Sequence, residues 1–126
     1  MIKNLIYIFL NTVINKTFQF KGRSGRKEYF IYTFVEMLIF IPYCIWFRYY
    51  AVEPTLINVI ALILCFVLIF IHIVASTSLN IRRLHDLNFK GWWFLLSLVF
   101  SPLIFLIFCF IKGDVNKNKY GEPPKD

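Results

Sequence analysis

Leu56-Ile57-Asn58-Val59-Ile60-Ala61-Leu62-Ile63-Leu64-Cys65-Phe66-Val67-Leu68-Ile69-Phe70-Ile71-His72-Ile73-Val74-Ala75-Ser76-Thr77-Ser78-Leu79 carries no formal charge at pH 7 and one histidine. The hydrocarbon core of a bilayer is about 30 Å thick and a helix rises about 1.5 Å per residue, so about 20 such residues cross it. Two further runs are nearly as apolar: residues 29–47, interrupted by Glu36 and Pro42, and residues 92–111, with Pro102 and no charge. In lipid only helices and closed barrels satisfy their own backbone, and barrel strands alternate in polarity, which these runs do not. The reading is an all-α integral membrane protein, one membrane domain over residues 1–126, with three transmembrane helices at 29–47, 56–79 and 92–111.

Composition excludes the other classes. Of 126 residues 59% are hydrophobic and only 17% charged, against about 45–50% apolar in soluble domains. A soluble chain of this size has too little interior to hide that surface, and a disordered one would not carry it. The net charge of +7 is read as a cytoplasmic-side basic excess facing anionic lipid, not as a nucleic-acid footprint. Cys44, Cys65 and Cys109 sit singly in apolar runs with no C-x-x-C pair, so they read as small apolar residues and not as disulfides or metal ligands. No metal or other cofactor is expected.

Residues 2–19 differ from the spans. Ile2, Leu5, Ile6, Phe9, Leu10, Val13 and Ile14 recur at helical spacing, with Asn4, Asn11, Thr12, Asn15 and Lys16 mostly opposite. Its clean apolar stretch is too short to span, so the segment reads as an amphipathic helix lying in the interface, or packed on the cytoplasmic end of the bundle. All five Gly lie outside the spans, which leaves no G-x-x-x-G seam for close helix contact.

Lys16, Lys21, Arg23, Arg26 and Lys27 precede the first span, and Arg82, Arg83 and Lys90 lie between the second and third. The positive-inside rule therefore puts the N-terminus and the 80–91 loop in the cytoplasm. Three full spans carry the polar tail, 112–126, to the far side, although it holds four Lys. A rival topology bends the third run back at Ser101-Pro102 as a re-entrant hairpin; three spans are the preferred reading.

Four features offer chemistry. Phe20-Lys21-Gly22-Arg23-Ser24-Gly25-Arg26-Lys27-Glu28-Tyr29 is a glycine-bearing turn, either a headgroup cradle of Arg and backbone N–H groups or topology-setting charge. Ile81-Arg82-Arg83-Leu84-His85-Asp86 places Asp86 three and four residues after two Arg, both pairing distances on a helix. His85 and Asp86 invite an acid–base reading, but neighbours on a helix point about 100° apart. An ion-pair network of Glu28, His85 and Asp86 with Arg82 or Arg83 is the preferred reading. Trp92 and Trp93, after Gly91, read as interfacial anchors. Glu36 and His72 are ionisable groups inside spans and offer a possible ion path.

These clusters, in this order, resemble the small bacterial inner-membrane family catalogued as domain of unknown function 805. The resemblance rests on Phe20, Gly22, Arg23, Arg26, Glu28 and Tyr29, then Arg82, Arg83, His85, Asp86, Gly91, Trp92 and Trp93, then Asn118, Lys119, Tyr120, Gly121 and Pro124. It implies a fold and a membrane address and no activity. Phe89, and the lack of a Gly shortly after Pro102, depart from the family pattern.

The expected function is a non-enzymatic module whose cytoplasmic face, built from Arg23, Arg26, Arg82 and Arg83, binds anionic headgroups or a partner protein. A transporter or channel component using Glu36 and His72 comes next, and a lipid-modifying enzyme using His85 and Asp86 last. A homo-oligomer or membrane-protein partner fits the first two, and no nucleic acid is expected.

Overall fold

The computed structural model describes residues 2–50, 55–99 and 107–124. Its helices are α1 (Ile2–Asn15), α2 (Arg26–Tyr50), α3 (Leu56–Asp86) and the short α4 (Phe94–Val99), which follows a single 3-10 turn at Gly91–Trp93. Among the described residues there are no strands, only an isolated bridge between Asn118 and Gly121.

The ends of α3 are written in the sequence. Thr55 caps its start by accepting the Asn58 N–H, and the other end closes in a Schellman turn. Asn88 adopts φ 63°, a left-handed conformation that Asn tolerates better than most residues. The Asn88 N–H then reaches the His85 carbonyl at 3.1 Å and the Phe89 N–H the Leu84 carbonyl at 2.9 Å. Pro42 sits inside α2, which leaves the carbonyl one turn earlier without its usual donor.

Two helices, α2 and α3, are long and apolar enough to cross a membrane, and they contain the expected spans 29–47 and 56–79. A core helix of a soluble protein passes the same test while buried. Here none of the most apolar stretch of α3 is buried and only 11% of that of α2 is. Leu56, Ile57, Phe66 and Phe70 of α3 are each 65% exposed or more. Such a surface is unlike that of a soluble monomer and suits a bilayer.

The buried core lies at one end. Tyr29 and Tyr32 from the start of α2, Ala75, Leu79 and Leu84 from the second half of α3, and Phe108 and Cys109 form one cluster, with Phe9 and Val13 of α1 packed on it. Phe9 stacks on Tyr32 at 5.4 Å, while Thr12, one turn later, bonds Glu28 at 3.1 Å. Thus α1 packs on α2 while its other face, with Ile6, Tyr7 and Ile14, stays exposed. We refer to this end as the cap and to the rest of α2 and α3 as the shaft.

The third apolar run differs from the preferred expectation. No straight helix over 92–111 is described: α4 ends at Val99, 107–110 are again helical, and 100–106 lie outside the described residues. Both flanks meet the same turns of α3. A Cβ on Gly91 would fall 2.9 Å from Ile81, and one on Gly113 would fall 1.8 Å from Asp86. The tail therefore sits at the cap beside Arg23 and the start of α2, not at the far end where three spans would carry it. The physical reason is the demand of two buried guanidinium groups for backbone carbonyls, which the tail supplies.

Candidate functional site

The cap holds two ion-pair clusters that the chain assembles from three distant segments. In the first, Glu28 in the opening turn of α2 accepts from Arg82 Nη1 at 3.0 Å and Lys16 Nζ at 3.0 Å. Thr12 and Ser24 hydroxyls donate to the same carboxylate, each at 3.1 Å. Glu28 precedes the apolar part of α2. Burial alone would raise its pKa, but Arg82 and Lys16 outweigh that and hold it below the ordinary carboxylate range.

In the second cluster, Asp86 lies between two guanidinium groups. Arg23 reaches Oδ1 through Nε at 3.0 Å and Nη2 at 2.9 Å, a two-pronged contact, and Arg83 pairs with Oδ2. Helical spacing left Asp86 a choice of Arg82 or Arg83; it takes the one three residues back, and Arg82 turns to Glu28. The side chains of Arg23, Arg82 and Arg83 are 1%, 2% and 0% exposed. Arg's planar fork suits such burial, because its N–H groups can be aimed at fixed acceptors. Arg23 and Arg83 use theirs on several, whereas Arg82 donates through Nη1 and its buried Nε and Nη2 have no hydrogen bond among the described residues.

The remaining donors tie in the tail. Arg83 donates to the carbonyls of Phe108 (2.9 Å), Ile111 and Ser24 (3.3 Å). Arg23 donates to those of Asn116 (2.7 Å), Gly121 (3.2 Å) and Asp114. The Asp114 N–H returns a bond to the Asp86 carbonyl at 2.8 Å. Gly113 has to be glycine, since any Cβ there would overlap the Asp86 carboxylate.

His85 belongs to a third contact. Its Nδ1 lies 3.1 Å from the Gly22 carbonyl, and its ring stacks on Tyr120 at 3.8 Å and 9°. Asn118 and Gly121 close a tight turn by exchanging N–H···O bonds of 3.1 Å, and the Asn118 amide donates to the His85 carbonyl at 2.9 Å. Asn-Lys-Tyr-Gly is thus the turn that presents Tyr120 to the end of α3. Gly121, at φ +129°, supplies a conformation that side chains resist. His85 and Asp86 serve different neighbours. Among the described residues no three of His, Cys, Asp and Glu gather as a metal site would require.

The other sequence candidates fall elsewhere. Arg26 is exposed and lines a cleft of about 210 Å³ with Lys112, Pro123 and Pro124, above the Arg83–Asp86 pair. Trp92 and Trp93 stack on each other at 4.7 Å and are 57% and 40% exposed. Glu36 and His72 line a groove between α2 and α3, where Tyr32 Oη lies 3.4 Å from His72 Nδ1. Sequence reasoning missed Thr12, Lys16 and Ser24 as partners of Glu28, and missed Gly113. Small polar residues are too common to stand out. The sequence order of the tail motif was the available signal for Asn118 and Tyr120.

The comparisons agree on one assignment. The model of the family described as "Protein of unknown function (DUF805)" matches residues 17–122, a range that contains nearly every residue of the cap. The chain is also similar to inner membrane protein YhaI of Escherichia coli K12, 32% identical over 123 residues, covering 90% of this chain and 92% of that one. The same protein of Escherichia coli O157:H7 matches equally. No solved structure matches. With its apolar shaft and its three motifs gathered in one cap, the chain is a membrane protein belonging to the DUF805 family.

Proposed function

We propose that this chain is a non-enzymatic module of the bacterial cytoplasmic membrane that takes anionic lipid headgroups on its cap. In this reading the N-terminus is cytoplasmic, α2 and α3 cross the bilayer, and the 91–113 segment leaves and rejoins the cytoplasmic face. α1 lies at that face with its exposed apolar side in lipid. Both flanks of the third run meeting the end of α3 support the re-entrant topology, as does the placement of Lys112, Lys117 and Lys119 on the same end as the other cations. Green fluorescent protein fused in turn to the N-terminus and to the C-terminus should fluoresce in both fusions. Fluorescence from one fusion alone contradicts the topology.

The observation that carries the headgroup reading is the division of labour among the four arginines. Arg23, Arg82 and Arg83 are spent on internal carboxylates and carbonyls, while Arg26 stands exposed at the mouth of the cleft it shares with Lys112. We therefore assign direct contact with headgroup phosphate to Arg26 and Lys112, and a positioning role to the buried three. His85 and Asp86, each engaged separately, favour the non-enzymatic reading over lipid chemistry. The test is native mass spectrometry of gently solubilised protein given equal phosphatidylglycerol and phosphatidylcholine. Arg26→Gln with Lys112→Gln should lower retained phosphatidylglycerol several-fold with melting unchanged. Undiminished retention, or a co-purifying protein lost in its place, overturns it.

A further inference from the structure

Below the cap, a groove of about 210 Å³ lies between α2 and α3. Glu36, Phe40 and Tyr43 line it from one helix and Cys65, Leu68 and His72 from the other. Phe40 and Leu68 are more than half exposed, so the groove opens sideways onto whatever surrounds the shaft. Its polar groups sit at one end. Glu36 is eight residues past Glu28, about 12 Å along the helix, and His72 faces it from the matching level of α3. From there the lining runs away from the cap as apolar wall for about 10 Å at the helical rise.

Glu36 has no hydrogen bond or ion pair among the described residues, in contrast to Glu28 with its four partners. His72 is turned to Tyr32 and to the ring of Phe9, so it is not the counter-charge. A lone carboxyl inside a span is costly in its charged form, and a cation from outside the chain would hold it in that form. A cation is the complement of that carboxylate, and an apolar chain is the complement of the wall below it.

We infer that this groove is a binding site for a single-chain alkylammonium amphiphile, its ammonium on Glu36 and its chain along Phe40, Tyr43 and Leu68. The groove is smaller than the roughly 300 Å³ at which ordinary ligand pockets begin. It therefore takes an ammonium group and a few methylenes, with the rest of the chain in lipid. The head-up, tail-down order matches that of a molecule entering from the cap-side leaflet. A partner helix would instead need contact along several turns.

The protein in phosphatidylcholine nanodiscs is titrated with radiolabelled dodecylammonium against empty discs. Saturable binding is expected, displaced by unlabelled dodecylammonium and not by dodecanol. Glu36→Gln should weaken it about tenfold or more through loss of the charge-assisted contact. Leu68→Trp, which fills the wall without touching the charge, should weaken it similarly, and covers the case in which the Glu36 variant fails to fold. Equal displacement by dodecanol overturns the site, as does wild-type affinity in both variants when their melting is unchanged. Conversion of a dimer to a monomer by Glu36→Gln also overturns it, since a second copy would then be what covers the groove.

Discussion

The cap and the shaft invert each other. In the cap, arginines, an aspartate, serines and threonines are as deeply buried as Tyr32 and Leu79; in the shaft the most exposed side chains are Leu, Ile and Phe. The same folding rules produce both. Apolar groups go where water is absent, and around the shaft that place is outside. Polar groups that leave water need partners, and in the cap the chain brings Glu28, Asp86 and a set of tail carbonyls to supply most of them, leaving Nε and Nη2 of Arg82 without a hydrogen bond among the described residues. What holds this fold together is therefore concentrated in one end, where an ion-pair network lies beside the apolar cluster of Tyr29, Tyr32, Leu79 and Phe108, while the shaft sets the address.

The sharpest way to break that contrast is Asp86→Asn. It leaves Arg23 and Arg83 buried without their shared counter-charge, and removing one partner of a buried pair costs about 3–5 kcal/mol. The expected result is a large fall in thermal midpoint, or loss of folded protein on size-exclusion chromatography. Gly113→Ala should come close behind, because the new Cβ must displace the same carboxylate. It tests the packing of the tail without changing any charge.

A smaller effect is expected from acid. Glu28 has a folded-state pKa lowered below its ordinary 4.5. The stability it contributes is present above that unfolded-state value and is lost as pH falls through the lower folded-state value. The thermal midpoint of the wild-type protein should therefore drop below about pH 4.5 more steeply than that of Glu28→Gln, which begins lower at neutral pH. Equal pH slopes would show that Glu28 is not held by Arg82 and Lys16. Least of all should come from the shaft. Phe66→Ala, at a residue 65% exposed, removes no internal contact of note and should shift stability by about 0.5 kcal/mol or less.

The shaft was legible because apolar length is a one-dimensional property: residues 56–79 announce a span without reference to anything else. Part of the cap was legible for the same reason, since Arg82, Arg83 and Asp86 lie within helical reach of one another. The rest was not. Arg23 meets Asp86 from 63 positions away, and the acceptors that fix the tail are backbone carbonyls, which every residue has and no sequence pattern marks. That also explains the third run. Its hydropathy fits a span as well as a hairpin, and the bend considered at Ser101-Pro102 lies outside the described residues. What separates the two readings is where the tail binds, and that is decided by Arg23 and Arg83.

The most direct test of the cap as an ionic clamp is amide hydrogen exchange across residues 112–121, in the wild type and in Arg23→Gln. The N–H groups of Asp114, Asn118 and Gly121 are bonded within the cap. Slow exchange at these positions in the wild type, and fast exchange in the variant while the shaft stays protected, is the expected result. Fast exchange of the wild-type tail, at the rate of an unstructured peptide, would contradict it.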